Sequence, residues 1–184
     1  MSAAERLELL GEYALRRFRD GDADELYALI ERNRDELAKW LSWAQQPTTG
    51  ATHEYVERVL SGEAEGRRVQ RAIVYREAIV GDIGLFVALE NATAAIGYWL
   101  DREHRRRGVM TAAVRELARY GFAQLALHRI EIRTDVLNAD SRAIAERLGF
   151  QLDGVLRESY RVAADHYSDD AVYSLLASEA SALS

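Results

Sequence analysis

The chain has 184 residues, the size of one ordinary domain, with 48% hydrophobic and 29% charged residues. That is a globular composition and excludes a disordered or fibrous chain. Lys plus Arg number 24 against 30 Asp plus Glu, a formal net charge of −6, which argues against a general binder of phosphate backbones. Cysteine is absent, so disulfide frameworks, thiolate metal sites and cysteine nucleophiles are excluded together.

No stretch approaches the ~18 apolar residues needed to span a bilayer. Met1–Leu10 carries Glu5, Arg6 and Glu8 and no apolar run, so neither a secretory signal nor a membrane partner is expected, and a cytoplasmic location is. With a single proline and no repeat, residues 1–184 read as one domain. The small, polar Ser178–Ser184 is expected to fray.

Residues 9–18 read as a first strand. Asp22 is placed to cap a helix over Ala23–Asn33, where Leu26, Leu29 and Ile30 recur at helical spacing. A second helical piece covers Arg34–Trp43, and Thr52 starts a third. Val69–Tyr75, Ile79–Leu89 and Ala94–Leu100 are β-rich runs separated by short polar breaks, an antiparallel meander. A long helix follows over about Val109–Leu127, with Met110, Val114, Leu117, Gly121 and Leu125 on one stripe. His128–Val136 is a strand, Asp140–Leu148 a helix, Gly149-Phe150 opens a strand and Val172–Leu176 forms the last. The class is α+β with a mixed sheet.

The junction Ile96–Thr111 carries the chemistry. A strand ends near Leu100, a basic loop with Arg102, Arg105, Arg106 and Arg107 reaches Gly108, and a helix begins. A helix N-terminus offers unpaired N–H groups and partial positive charge, and a glycine lets the main chain approach a ligand. A small polyphosphate suits this arrangement. Neither a Walker loop nor a dinucleotide fingerprint occurs. A solvated arginine run before an ordinary helix is the plainer alternative. Nucleic-acid binding is a third, but aromatic interleaving and overall basicity are missing. His53, His104, His128 and His166 show no ligand spacing, so no metal is expected.

Arg105-x-x-Gly108-x-Met110 resembles the Q/R-x-x-G-x-G/A pyrophosphate signature of the GCN5-related N-acetyltransferases (GNAT), with Met110 in place of the second small residue. Ile96–Leu100 resembles the strand that leads into that loop. Asn138-x-x-Ser141, followed by Leu148-Gly149-Phe150, resembles the family's second cofactor segment. Asn33–Leu37 with Trp40, Leu41 and Trp43, and Asp169 with Tyr173–Leu176, are similar to the RimJ/RimL-type branch of ribosomal-protein N-terminal acetyltransferases.

The resemblance implies a mostly antiparallel twisted sheet, split between its fourth and fifth strands and flanked by helices. It implies acetyl-CoA as cosubstrate and a primary amine as acceptor, either a protein N-terminus or a small molecule. The amides of Arg106, Arg107, Gly108, Val109, Met110 and Thr111 would cradle the pyrophosphate, with charge from Arg105 and Arg107. The edge of Tyr98, Trp99 and Leu100 would pair with the pantetheine arm. Asn138 would bond pantetheine or adjacent backbone.

Transfer needs a proton acceptor for the amine, donors for the oxyanion and a donor for the leaving thiolate. Ser141 suits the last, since Ile144–Arg147 lacks the tyrosine many members use there; its alternative is to cap the helix. Glu158 is the base candidate, with Glu36 or a water relay as alternatives and Tyr160 for the same position. The stretch Arg161–Ser168 carries one residue more than the branch's pattern. Trp40 and Trp43, three apart on one helical face, would pack in the core or line the acceptor groove, with Tyr160 and His166 nearby. Without cysteine, transfer would be direct. A catalytically silent CoA-binding module is the alternative function, and a monomer or homodimer the expected state.

Overall fold

The β-branched runs at the centre of the chain form the middle of an eight-stranded sheet, as such residues on a pleated surface should. This computed structural model describes residues 6–64 and 66–183. Residues 1–5, part of the stretch read above for a secretory signal, and Ser184 lie outside the described residues. The strands are β1 (Arg6–Glu8), β2 (Tyr13–Arg16), β3 (Arg68–Tyr75), β4 (Ala78–Ala88), β5 (Thr93–Leu100), β6 (Arg129–Asp135), β7 (Gln151–Ala163) and β8 (His166–Leu176). They lie in the order β1-β2-β3-β4-β5-β6-β8-β7. Only β5 and β6 run parallel; the other neighbours are antiparallel.

Helices α1 (Asp22–Leu37) and α2 (Thr49–Ala64) cover one face, and α3 (Val109–Gln124) and α4 (Ala139–Arg147) the other. Strand alternation sorts the side chains: Ile73 packs with Leu117 and Leu148 on the α3 face, and its neighbour Val74 with Leu26 and Val59 on the α1 face. Each such fully buried aliphatic side chain stabilises the fold by about 1.5–3 kcal/mol. One carboxylate is buried among them. Asp82 accepts from the Tyr55 hydroxyl at 2.5 Å and from the Gln70 amide, which pins α2 to the β3–β4 hairpin. Burial pushes the Asp82 carboxyl up to about 6, against the pull of those two bonds.

Four sequence expectations change. The first strand is a hairpin: Gly11, at φ +57°, turns the chain between β1 and β2. Counted from the N-terminus, the split described below therefore lies between the fifth and sixth strands. Asp22 is not a cap. Gly21 takes that position, and the Asp22 carboxylate receives the buried Arg16 guanidinium at 2.6 and 2.9 Å and the Arg19 N–H at 2.8 Å. Helix α2 starts at Thr49, because the Thr48 hydroxyl accepts from the Ala51 N–H. The C-terminal segment Ala177–Leu183 forms a 3-10 turn that buries Leu183 in the α3-side core, where fraying was expected.

Candidate active site

β5 and β6 pair only from Thr93 with Arg129 to Ile96 with Ile132. Beyond that point β5 stays paired to β4 as far as Leu100, and β6 to β8 as far as Asp135. The two halves of the sheet thus diverge, and a V-shaped gap opens between them. The Asp101 N–H donates to the Val80 carbonyl at 2.8 Å. Antiparallel alternation then turns the main chain of Trp99 toward β4 and that of Tyr98 and Leu100 toward the gap. The Leu100 carbonyl accepts from Arg105 Nε at 3.2 Å. The Tyr98 N–H and C=O remain on the open edge.

At the end of β5 the chain makes a 3-10 turn over Arg102–His104, capped by Asp101. Arg106 and Gly108 then adopt left-handed conformations at φ +59° and +77°. Helix α3 starts with no capping side chain, and its first bond runs from the Ala112 N–H to the Gly108 carbonyl. Its first-turn N–H groups are therefore available to an anion. A Cβ on Gly108 would meet nothing within 4 Å, so the glycine is required by its φ and not by crowding. The side chains of Val109, Met110 and Thr111 are buried, leaving their main chain to face a ligand. Met110 packs into the core, which explains how a large residue stands where the signature has a small one. An uncapped helix start beside an open strand edge fits the pyrophosphate and the amide-bearing arm of acetyl-CoA.

The arginines divide their work. Arg106 and Arg107 are exposed and Arg105 is half-buried, and Arg105 and Arg107 brace the loop. Arg105 binds the Leu100 carbonyl and lies 3.6 Å from Glu36; Arg107 donates to the Tyr13 hydroxyl at 3.3 Å. Tyr13 also bonds His104 Nδ1 at 2.8 Å, and burial lowers the His104 pKa. Helix α1 holds the loop from the other side. Arg32 donates to the fully buried Asp101 carboxylate, and Asn33 Oδ1 accepts from the Arg102 N–H at 3.1 Å. Burial raises the Asp101 carboxyl, but Arg32 and the Glu103 N–H outweigh it and hold it below the usual range. Lys39, at 2.5 Å, likewise holds Glu36 low. Glu36 is thus an ionised partner of Lys39 and Arg105, a poor proton acceptor.

On the far side of the gap, Asn138 caps α4 by accepting from the Ser141 N–H at 3.2 Å. The cap is Asn138, so the Ser141 hydroxyl is free of that duty and lies 2.8 Å from the Tyr98 hydroxyl. Burial pushes the Tyr98 phenol up to about 12, against the Ser141 bond. Helix α4 is held from behind: Tyr173 donates to Glu146 at 2.7 Å and accepts from Arg142 at 3.0 Å. Arg147 on the same helix donates to Thr111 at 3.1 Å, bringing positive charge to the start of α3.

The third wall is a lip. Trp40 and Trp43 do not share a helical face, because α1 ends at Leu37 and Leu41 is extended. Trp40 is half-buried in the turn after α1; Trp43 stands in a 3-10 turn over Ser42–Gln45, 45% exposed, its ring 6.3 Å from Trp99. The lip is tied to β7. Tyr160 Oη accepts from the Ser42 N–H at 3.2 Å and bonds its hydroxyl at 2.9 Å, and Gln45 donates to the Val162 carbonyl. Val162 lies at a register shift between Arg161 and Ala163, where β7 has one residue more than β8. Glu158 sits at another shift, at φ +49°, its N–H donating to Asp169 at 2.8 Å. A non-glycine residue held there costs about 1–3 kcal/mol, the kind of strain that clusters at functional sites. His166 is exposed at the β7–β8 tip. It pairs with Ala163, next to Val162, to which Gln45 of the lip is bonded.

Sequence reasoning gave no part in the site to the Tyr98 hydroxyl or Arg32, nor to the side chains of Asn33, Arg147 and Tyr173. A signal existed for Asn33: it is a polar residue on the stripe of Leu26, Ile30 and Leu37, and a buried amide needs partners. Among the described residues no group of three or more His, Asp or Glu is placed to hold a metal, and no helix is long and apolar enough to cross a membrane.

A sheet split beside an uncapped, glycine-led helix, with a hydroxyl pair at the gap, fits a coenzyme A thioester, the acyl donor of an acyltransferase. The acetyltransferase (GNAT) domain model matches residues 13–151, and the chain belongs to that family. It is an acetyl-CoA-dependent N-acetyltransferase. The chain is 36% identical over 163 residues to a putative ribosomal N-acetyltransferase, YdaF, of Bacillus subtilis, covering 86% of this chain and 87% of that one. It is 31% identical over 151 residues to the ribosomal-protein-serine acetyltransferase of Escherichia coli, covering 80% and 83%. The crystal structure of the microcin C7 self-immunity acetyltransferase MccE with acetyl-CoA and AMP superposes with a TM-score of 0.87 at 25% identity, covering 95% of this chain and 97% of that one.

Proposed function

We propose that this chain transfers the acetyl group directly from acetyl-CoA to the α-amine of a polypeptide N-terminus, with residues 1–184 acting as one catalytic unit. The observation that carries the reading is the end of β5–β6 pairing at Ile96 and Ile132, with the Tyr98 edge open beside the uncapped start of α3. The Arg106–Thr111 amides bind the pyrophosphate, and Asn138 fixes the turn that presents Ser141. The Tyr98 N–H donates to the carbonyl oxygen as negative charge develops there. Ser141 donates to the leaving sulfur and Glu158, directly or through water, receives the proton of the amine. The chain has no cysteine to carry an acyl group, which supports single-step transfer.

The polypeptide acceptor is supported by the two ribosomal relatives and by an acidic chain that suits a cationic amine. A small-molecule amine is the second reading, favoured by the likeness to the self-immunity enzyme. The test is an acceptor panel of N-terminal peptides, amino acids and amine metabolites, followed by release of free CoA and mass spectrometry. Turnover of peptides alone is the expected result; turnover of small amines alone overturns the polypeptide reading. Persistent CoA binding without any product identifies a silent binding module.

A further inference from the structure

We propose that the Tyr98 hydroxyl is a positioning group that fixes the direction of the Ser141 proton, so that Ser141 presents a donor to the gap. The inference rests on the reading of Ser141 as the thiolate's donor.

A hydroxyl has one proton to give. If Ser141 donated to Tyr98, that proton would be spent inside the pair and the gap would face only oxygen lone pairs. If Tyr98 donates, the Ser141 proton is free to point elsewhere. The surroundings select the second arrangement. Two oxygens lie within reach of Tyr98 Oη: Ser141 Oγ at 2.8 Å and the Ser141 carbonyl at 3.5 Å. The carbonyl lies inside helix α4 and takes its bond from the helix, so at 3.5 Å it competes little for the phenol proton, which goes to Ser141 Oγ. A phenol is also the stronger acid of the two hydroxyls and the better donor. Its raised pKa keeps it protonated through the working range.

The pair is also rigid. Tyr98 stands on β5, next to the α3-side core, and Ser141 on α4, which is pinned by Asn138 and by the Arg142–Tyr173–Glu146 chain. The residue whose main-chain N–H faces the gap therefore also orients, through its side chain, the donor on the opposite wall. No bond is made or broken at Tyr98.

The experiment is steady-state kinetics on the full chain, with the best amine of the acceptor panel, for Tyr98→Phe, Ser141→Ala and the double variant. Tyr98→Phe should lower kcat about tenfold with the acetyl-CoA KM within threefold, and the double variant should match Ser141→Ala within twofold. A purely structural role for Tyr98 would raise KM and multiply the two losses, which overturns the inference. If Ser141→Ala is strongly impaired but Tyr98→Phe turns over like the parent, the inference alone falls. If Ser141→Ala keeps parent activity, or if the parent turns over no amine, the reading of Ser141 falls and takes the inference with it.

Discussion

In the proposed site, the cofactor half presents main-chain atoms and the acceptor half presents side chains. At the cradle, the groups that face the ligand are the amides around Gly108 and the edge of Tyr98. The side chains of Val109 and Met110 pack into the core and that of Thr111 is buried against Arg147, while Arg105 and Arg107 brace the loop. At the lip, Trp43 and Glu158 stand exposed on a 3-10 turn and a bulged strand. A main-chain site is defined by backbone geometry, so it tolerates side-chain change wherever the conformation survives, as at Met110. A side-chain site changes with each substitution. The first suits an invariant ligand, the second a ligand that differs between relatives.

The comparison can be broken by experiment. The largest effect is expected at Gly108. Valine at φ +77° costs several kcal/mol of backbone strain or moves the loop, and acetyl-CoA affinity by calorimetry should fall about 100-fold. Unchanged affinity in Gly108→Val would remove the main-chain cradle. Asn33→Ala tests whether α1 holds that cradle. It leaves the Arg102 N–H without its acceptor, at a cost of about 1–3 kcal/mol, so acetyl-CoA should bind about tenfold more weakly while the amine KM stays within twofold. Trp43→Ala should do the reverse, raising the amine KM about fivefold and leaving acetyl-CoA affinity alone. If it weakens acetyl-CoA instead, the two halves are not separable.

The smallest effect is a pH dependence at His104. Burial lowers its folded pKa below the ordinary 6.5, so the unfolded chain takes up a proton that the folded loop resists. The neutral ring's contribution is complete above about pH 6.5 and is lost as pH falls below it. His104→Gln should therefore flatten the acid limb of the Tm profile, and an unaltered limb would show that the ring carries no such linkage.

How much of this was legible in the sequence follows the same division. Arg105-x-x-Gly108 and Ile96–Leu100 located the left-handed turn, the uncapped helix start and the strand beside it, because a backbone that must turn left-handed and then start a helix restricts residue types locally. Trp40 and Trp43 misled, because their spacing of three is helical only if the helix continues, and α1 stops at Leu37. The first strand misled for a similar reason: a turn at Gly11 interrupts an apolar run that periodicity alone treats as continuous. The Tyr98–Ser141 and Asn33–Arg102 pairs join residues 43 and 69 apart in the chain. No local pattern encodes such partners; they exist only once the sheet has brought the elements together.

Helix α1 carries a seam. Within about one turn it passes from Arg32, Asn33 and Glu36, which serve the cofactor loop, to Leu37, after which the chain belongs to the lip. The lip's own anchors run to Tyr160 and Val162 on β7. A change of acceptor therefore has a natural unit of exchange. Residues 38–46, grafted together with 160–162, can be swapped between relatives as one cassette, leaving the grip on acetyl-CoA behind.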